Sequence, residues 1–253
     1  MNKTNCVAII PARFASSRFP GKPLAALAGK PIIEHVYQRV SEAVDDVYVA
    51  VDDQRIFNCV ENFGGKAIMT SPNHKSGTDR VAEAYKKIGR HFDVVINVQG
   101  DEPFIHEEQI EALISCFDKK NTDIATIVKP FSASDGTGAL LNPNTPKVAI
   151  AKDMKALYFS RSVIPYIRGV EKADWLSAHT FYKHIGIYGF RSDVLKEITK
   201  LPQGTLEKSE SLEQLRWLEN GYSIRVVINN FETVGIDTPE DLRRAELYLG
   251  QNS

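Results

Sequence analysis

Apolar positions in the first half of the chain fall into two alternating patterns. Short unbroken runs, Val7–Ile10, Val47–Val51, Ala67–Met69, Val94–Val98 and Ile124–Val128, have the length and composition of strands buried on both faces. Between them, apolar residues recur at helical spacing. Ile32, Ile33, Val36 and Val40 mark a helix over 31–43. Gln54–Phe63 is a second, stopped by Gly64-Gly65, and Glu107–Phe117 is a fourth. A third, ending at Ile88 with Val81, Ala84 and Tyr85 inward, is expected to take its cap from Thr78 or Asp79. Strand–helix alternation implies right-handed βαβ units and a mainly parallel sheet with helices on both faces. Ligands of such sheets bind beyond the carboxyl ends of the strands.

From about Phe131 this rhythm breaks. The stretch SASDGTGALLNPNTPK is rich in Gly, Pro, Asn and Ser and reads as loop. VAIA, ALYFS and HIGIYGF read as short β pieces, with one helix near 193–199. A helix over 209–220, a strand at Ile224–Ile228 and a last helix from Pro239 return to the first pattern. The expectation is one α/β domain over 1–253, with 131–208 as an inserted antiparallel β subdomain.

Composition narrows the class. The 253 residues are 43% hydrophobic and 25% charged, and the formal net charge is −1. That balance suits a globular protein and gives no reason to expect nucleic acid or membrane insertion. No apolar run reaches membrane-spanning length. Cys6, Cys59 and Cys116 are widely spaced, without CxxC, as expected for reduced thiols in a cytoplasmic setting.

Candidate chemistry gathers at strand ends. After the first strand comes PARFASSRFPGKPL, with Arg13, Ser16, Ser17, Arg18 and Lys22. Cationic side chains and exposed N–H groups suit a triphosphate. It is not a Walker A loop, because Gly21-Lys22 is followed by Pro23 and not Ser or Thr. In VINVQGDEPFI, Asp101 is either a turn residue or a ligand for magnesium, which takes carboxylate and phosphate oxygens. In VGIDTPEDL, Thr238, Pro239, Glu240 and Asp241 are accounted for as a helix start, which leaves Asp237 available to a metal. SGTDR (76–80) is a small-residue turn that lets a base or sugar approach the backbone. Arg161 can bind a carboxylate through two N–H groups. His184, Tyr188, Glu213 and Gln214 are side-chain types found around sugars, although neighbours on a helix, such as the last two, diverge by about 100°. No HExxH, Cys/His cluster or GxSxG is present.

IIPARFASSRFPGKPL, SGTDR, NVQGDEP, ALYFSRSVIP, HIGIYGF, SLEQLR and GIDTPEDL, in that order, together resemble the 3-deoxy-manno-octulosonate cytidylyltransferases (CMP-Kdo synthetases) of Gram-negative bacteria, over residues 5–248. Phe14 and Phe19 stand where that family often has Tyr and Leu. The resemblance implies a nucleotide-diphospho-sugar transferase fold, CTP and Kdo as substrates, pyrophosphate release, Mg2+, a homodimer built partly by the insertion, and a role in lipopolysaccharide synthesis. By motif it places Arg13 and Lys22 on the triphosphate, with Ser16 and Ser17 beside them. It puts Ser76, Gly77 and Arg80 along the nucleotide, and Asp101 and Asp237 on magnesium. Gln99, Arg161, His184, Tyr188, Glu213 and Gln214 fall around the sugar. The alternatives are a cytidylyltransferase for an amino-substituted Kdo or an acylneuraminate, or a non-catalytic CTP-binding regulator.

Overall fold

Residues with branched or small apolar side chains and no charge make strands that can be covered on both faces. β1 (Cys6–Ala12) is built this way, and Val7 to Ile10 have no exposed surface. The computed structural model describes residues 4–15, 18–231 and 235–251. The chain forms two compact units, one of residues 1–114 with 232–253, the other of 115–231.

In the first unit, β1 is followed by the loop of interest and a small hairpin, β2 (Ala26–Leu27) and β3 (Lys30–Pro31). Then come α1 (Ile32–Ala43), β4 (Val47–Val51), α2 (Gln54–Asn62), β5 (Ala67–Met69), α3 (Gly77–Ile88), β6 (Val94–Asn97) and α4 (Glu107–Ser115). β1 pairs in parallel with β4 on one side, Ala8 opposite Val47, and with β6 on the other, Cys6 opposite Val94. β5 extends the sheet beyond β4. The chain thus leaves β1 in one direction and returns on its other side. The carboxyl ends of β1, β4 and β6 therefore open side by side, the place where parallel sheets form crevices.

The second unit holds β7 (Ile124–Pro130), α5 (Gly136–Leu141), β8 (Lys147–Ile150), β9 (Ala156–Ser160), α6 (Trp175–Ala178), β10 (Tyr182–Arg191), α7 (Ser192–Ile198), α8 (Thr205–Glu210), α9 (Gln214–Glu219) and β11 (Ile224–Ile228). β10 runs antiparallel to β7 and β8, β8 antiparallel to β9, and β11 parallel to β7. The segment 131–208 lies within this unit. The chain then re-enters the first unit and ends in α10 (Pro239–Gln251).

Three expectations need correction. Gly136–Leu141 is helical and not loop, because Leu140 is buried in a cluster with Phe131, Trp175 and Phe181, and Ser132 and Asp135 form a capping box just before it. The helix expected over 209–220 is two helices, α8 and α9, broken where Ser211 takes a left-handed conformation at φ 51°. Tertiary bonds hold that break: the Glu210 carboxylate accepts from Ser160 Oγ (2.7 Å) and Arg161 N (2.9 Å). Finally, α3 is capped by Ser76, whose Oγ accepts the Asp79 N–H at 3.1 Å, while Thr78 is buried.

Candidate active site

The loop after β1 is shaped by its own backbone. Phe14 O accepts the Gly21 N–H at 2.9 Å, and Gly21 sits at φ 71°, a conformation that a side chain would strain. This closure brings Arg13 and Lys22 to the two ends of one turn. Ser16 and Ser17 lie outside the described residues.

Lys22 reaches the two carboxylates singled out in the sequence, Asp101 after β6 and Asp237 just before the last helix, and not at a strand end as its place in the sequence suggested. Its Nζ is 2.6 Å from Asp101 Oδ2 and 3.1 Å from Asp237 Oδ1, and Arg18 adds a 3.0 Å pair to Asp237 Oδ2. Asp101 follows β6. Asp237 is brought beside it because buried Ile236 donates its N–H to Asp101 O at 2.9 Å. Thr238 and Asp241 cap α10 reciprocally, so that helix start makes no demand on the Asp237 carboxylate.

A cavity of about 300 Å³ opens here. Arg13, Arg18 and Lys22 line it from the loop, and His74 to Gly77 with Arg80 from the start of α3. Gln99, Gly100, Asp101 and Asp237 complete it. Arg80 is nearly buried; its guanidinium donates to Asp52 Oδ2 (3.0 Å), Thr70 Oγ1 (2.7 Å) and Ser71 O (3.3 Å). Burial pushes that group's pKa down, with Asp52 opposing the shift and Arg13 adding to it.

Among the described residues no cluster of three or more His, Cys, Asp or Glu is set to hold a metal alone. Two carboxylates converging on one ammonium do suit a magnesium ion, whose remaining ligands are phosphate oxygens and water. The Lys22 ammonium is the stand-in cation, between two groups that would otherwise repel.

Sequence reasoning missed Glu102. Its Oε2 is buried without a hydrogen-bond partner, and burial, reinforced by Asp101 and Asp237, pushes its pKa to about 8. A neutral acid thus backs the carboxylate pair at neutral pH. Its only sequence trace is a Glu following the Asp of GDEP. Gly100 was also missed. A Cβ there would stand 2.9 Å from Pro11 O, so β6 exits against the backbone of β1. Gly100→Ala is expected to lower the thermal midpoint by several degrees through a loss of about 1–3 kcal/mol and to reduce turnover, because Asp101 must shift. Calorimetry and initial rates check this.

Of the six residues expected around a sugar, Gln99 lines the cavity. The other five belong to the second unit. His184 Nε2 is 3.0 Å from Thr126 Oγ1, and the Thr126 hydroxyl donates to Ile187 O at 2.7 Å, so Nε2 carries the ring proton. The ring packs against Phe159 and Tyr188, and burial holds its pKa near 3. Tyr188 packs against Trp217 and Phe190. Gln214 Nε2 is buried without a partner, and Glu213 pairs with Arg216 at 3.5 Å. Arg161 spends its guanidinium on main-chain oxygens, Glu210 O (2.6 Å), Pro143 O (3.0 Å) and Ser211 O (3.4 Å), and so holds the break between α8 and α9.

His184 also predicts a pH effect. Its folded pKa is depressed below the unfolded value, so the unfolded chain takes the extra proton and stability falls as pH drops through 6.5 toward 3. Between pH 7 and 5 this site alone is expected to remove about 2 kcal/mol. In His184→Gln that share of the loss should vanish in denaturant titrations at the two pH values.

No helix among the described residues is long and apolar enough to cross a membrane. The cytidylyltransferase family model matches residues 7–226. A 3-deoxy-manno-octulosonate cytidylyltransferase of Phocaeicola vulgatus is 62% identical over 97% of both chains, and one of Parabacteroides distasonis is 60% identical over 96% of this chain and 97% of its own. The solved structure of a CMP:2-keto-3-deoxy-manno-octonic acid synthetase, complexed with CTP, superposes with a TM-score of 0.90 at 41% identity, covering 99% of this chain and all of that one. The expected nucleotide-diphospho-sugar transferase fold is thereby borne out. The chain belongs to the cytidylyltransferase family, and within it to the 3-deoxy-manno-octulosonate cytidylyltransferases.

Proposed function

We propose that this protein transfers CMP from CTP to the anomeric hydroxyl of 3-deoxy-D-manno-octulosonate, releasing pyrophosphate, as a soluble cytoplasmic enzyme serving lipopolysaccharide synthesis. The observation that carries this reading is the cavity in which Lys22 meets Asp101 and Asp237 beneath the basic loop. It is supported by the CTP complex of the 41%-identical synthetase.

The hydroxyl oxygen attacks the α-phosphorus and gives up its proton to solvent, the bond to the bridging oxygen of the β-phosphate breaks, and pyrophosphate leaves in line. Such transfers need alignment and charge neutralisation more than a covalent partner. Arg13 and Lys22, at the two ends of the loop, neutralise the charge that develops on the leaving group. Ser76 and Gly77, at the start of α3, offer a small-residue surface to the nucleoside end, with Ser16 and Ser17 assigned beside the phosphates. Asp101 and Asp237 are the residues that would hold Mg2+, which when bound supplies further neutralisation of phosphate charge and acidifies a bound hydroxyl. Gln99, His184, Tyr188, Glu213 and Gln214 are assigned to the sugar. With a pKa near 3, His184 is a poor base at neutral pH and serves as a hydrogen-bonding group. Arg161 reaches the sugar only by exchanging its main-chain partners. Residues 131–208 are proposed to contribute to a homodimer.

Pyrophosphate release from CTP, measured with Kdo, an 8-amino analogue and an acylneuraminate in parallel, tests the reading. Release with Kdo in clear preference is expected. Preference for another sugar would reassign the substrate, and release with none would leave a CTP-binding protein without this activity.

A further inference from the structure

Asp52 stands at the carboxyl end of β4, beside the cavity but outside its lining, and its side chain is only 9% exposed. Its two oxygens serve two different elements. Oδ1 accepts the Phe14 N–H at 2.9 Å, and Oδ2 accepts Arg80 Nη2 at 3.0 Å. Phe14 is itself an anchor. Its O closes the loop by accepting the Gly21 N–H, and its ring lies 3.3 Å below the Arg55 guanidinium. One carboxylate therefore fixes the backbone just after Arg13 and, through Phe14, the residue just before Lys22. The same carboxylate holds Arg80 one turn into α3, whose first residues line the cavity.

We propose that Asp52 is a positioning residue that keeps the basic loop and the start of α3 in register, so that both grip one nucleotide at once. The inference rests on the reading of this cavity as the CTP site. On that reading the loop holds the phosphate end and α3 the nucleoside end, so the distance between them decides whether the α-phosphorus is aligned for attack. Misplacement of about an ångström in such a geometry lowers a rate about a hundredfold. Asp52 also offsets charge. Arg80 is buried and feels Arg13, and without the carboxylate these cations push the loop and α3 apart.

Two substitutions separate positioning from charge balance. Asp52→Asn keeps the shape but offers one acceptor oxygen where two donors arrive, and its NH2 faces whichever donor is left. Asp52→Glu keeps the charge and both oxygens but sets them one methylene further out. For each full-length variant, kcat with CTP and Kdo is measured. Binding of CTP, CMP and inorganic pyrophosphate is followed by calorimetry, with the denaturant midpoint as a check on folding. The expected result is a kcat lowered about 30-fold or more in both variants, with CTP binding weakened about tenfold and each fragment changed less than about threefold, because fragments require no register. Three results overturn the proposal: kcat within about threefold of wild type in either folded variant; CTP and its fragments weakened in equal proportion; or neither variant folding, which would make Asp52 a residue of the fold and not of the site. If Asp52→Asn alone fails to fold, Asp52→Glu decides. Wild-type protein that releases no pyrophosphate would remove the functional reading, while the comparison of CTP with its fragments would still test the role of Asp52.

Discussion

Asp101→Asn is expected to lower kcat on the order of a hundredfold to a thousandfold while CTP still binds, with the magnesium concentration for half-maximal activity raised. The amide keeps the size of the side chain and one oxygen. It loses the negative charge that, with Asp237, makes this strand end attractive to a divalent cation. Lys22 Nζ sits 2.6 Å from Asp101 and 3.1 Å from Asp237, so Asp101 makes the shorter of the two pairs and its loss should exceed that of Asp237→Asn. Initial rates over a magnesium titration check this. A wild-type rate would remove Asp101 from the metal assignment.

Lys22→Met should have an effect of similar size, with the opposite sign in one measurement. Turnover should fall on the order of a hundredfold or more, because the ammonium proposed to neutralise the leaving pyrophosphate is gone. Binding of Mn2+ to the nucleotide-free protein, followed by electron paramagnetic resonance, should tighten about tenfold, because two carboxylates then face each other without a counter-charge. Lys22→Arg should recover part of the turnover, since the charge returns with a different shape. If Mn2+ binds the Met variant no better than wild type, the ammonium is not standing where a cation would.

Much of the fold was legible along the chain. β4, β5 and β11 have the bounds read from their apolar runs, and α10 begins at Pro239 as expected. Strands buried on both faces must be apolar throughout, and that demand is written locally. Failures occurred where distant residues overruled local pattern. The Gly-rich stretch at 136–141 became a helix because Leu140 joined an aromatic cluster, and the helix over 209–220 broke because Ser160 and Arg161 took the Glu210 carboxylate. Asp52 and Asp53 look alike in sequence. Asp53 accepts the Arg55 N–H to cap α2, whereas Asp52 turns to Phe14 and Arg80, and nothing local distinguishes the two.

The sequence by itself determined the strand–helix alternation of the first half of the chain, the basic loop after β1, and the delivery of one carboxylate to a strand end and another to a helix start. Those features depend on periodicity, turn chemistry and capping, which act over a few residues. Tertiary structure decided which charges meet. Lys22, Asp101 and Asp237 are far apart in the chain and adjacent only because β1 and β6 are parallel neighbours and Ile236 is bonded to Asp101. It also decided that Arg161 is bound to backbone oxygens, that His184 is held neutral and that Glu102 is buried as an acid, because burial and partners, not residue type, fix those states.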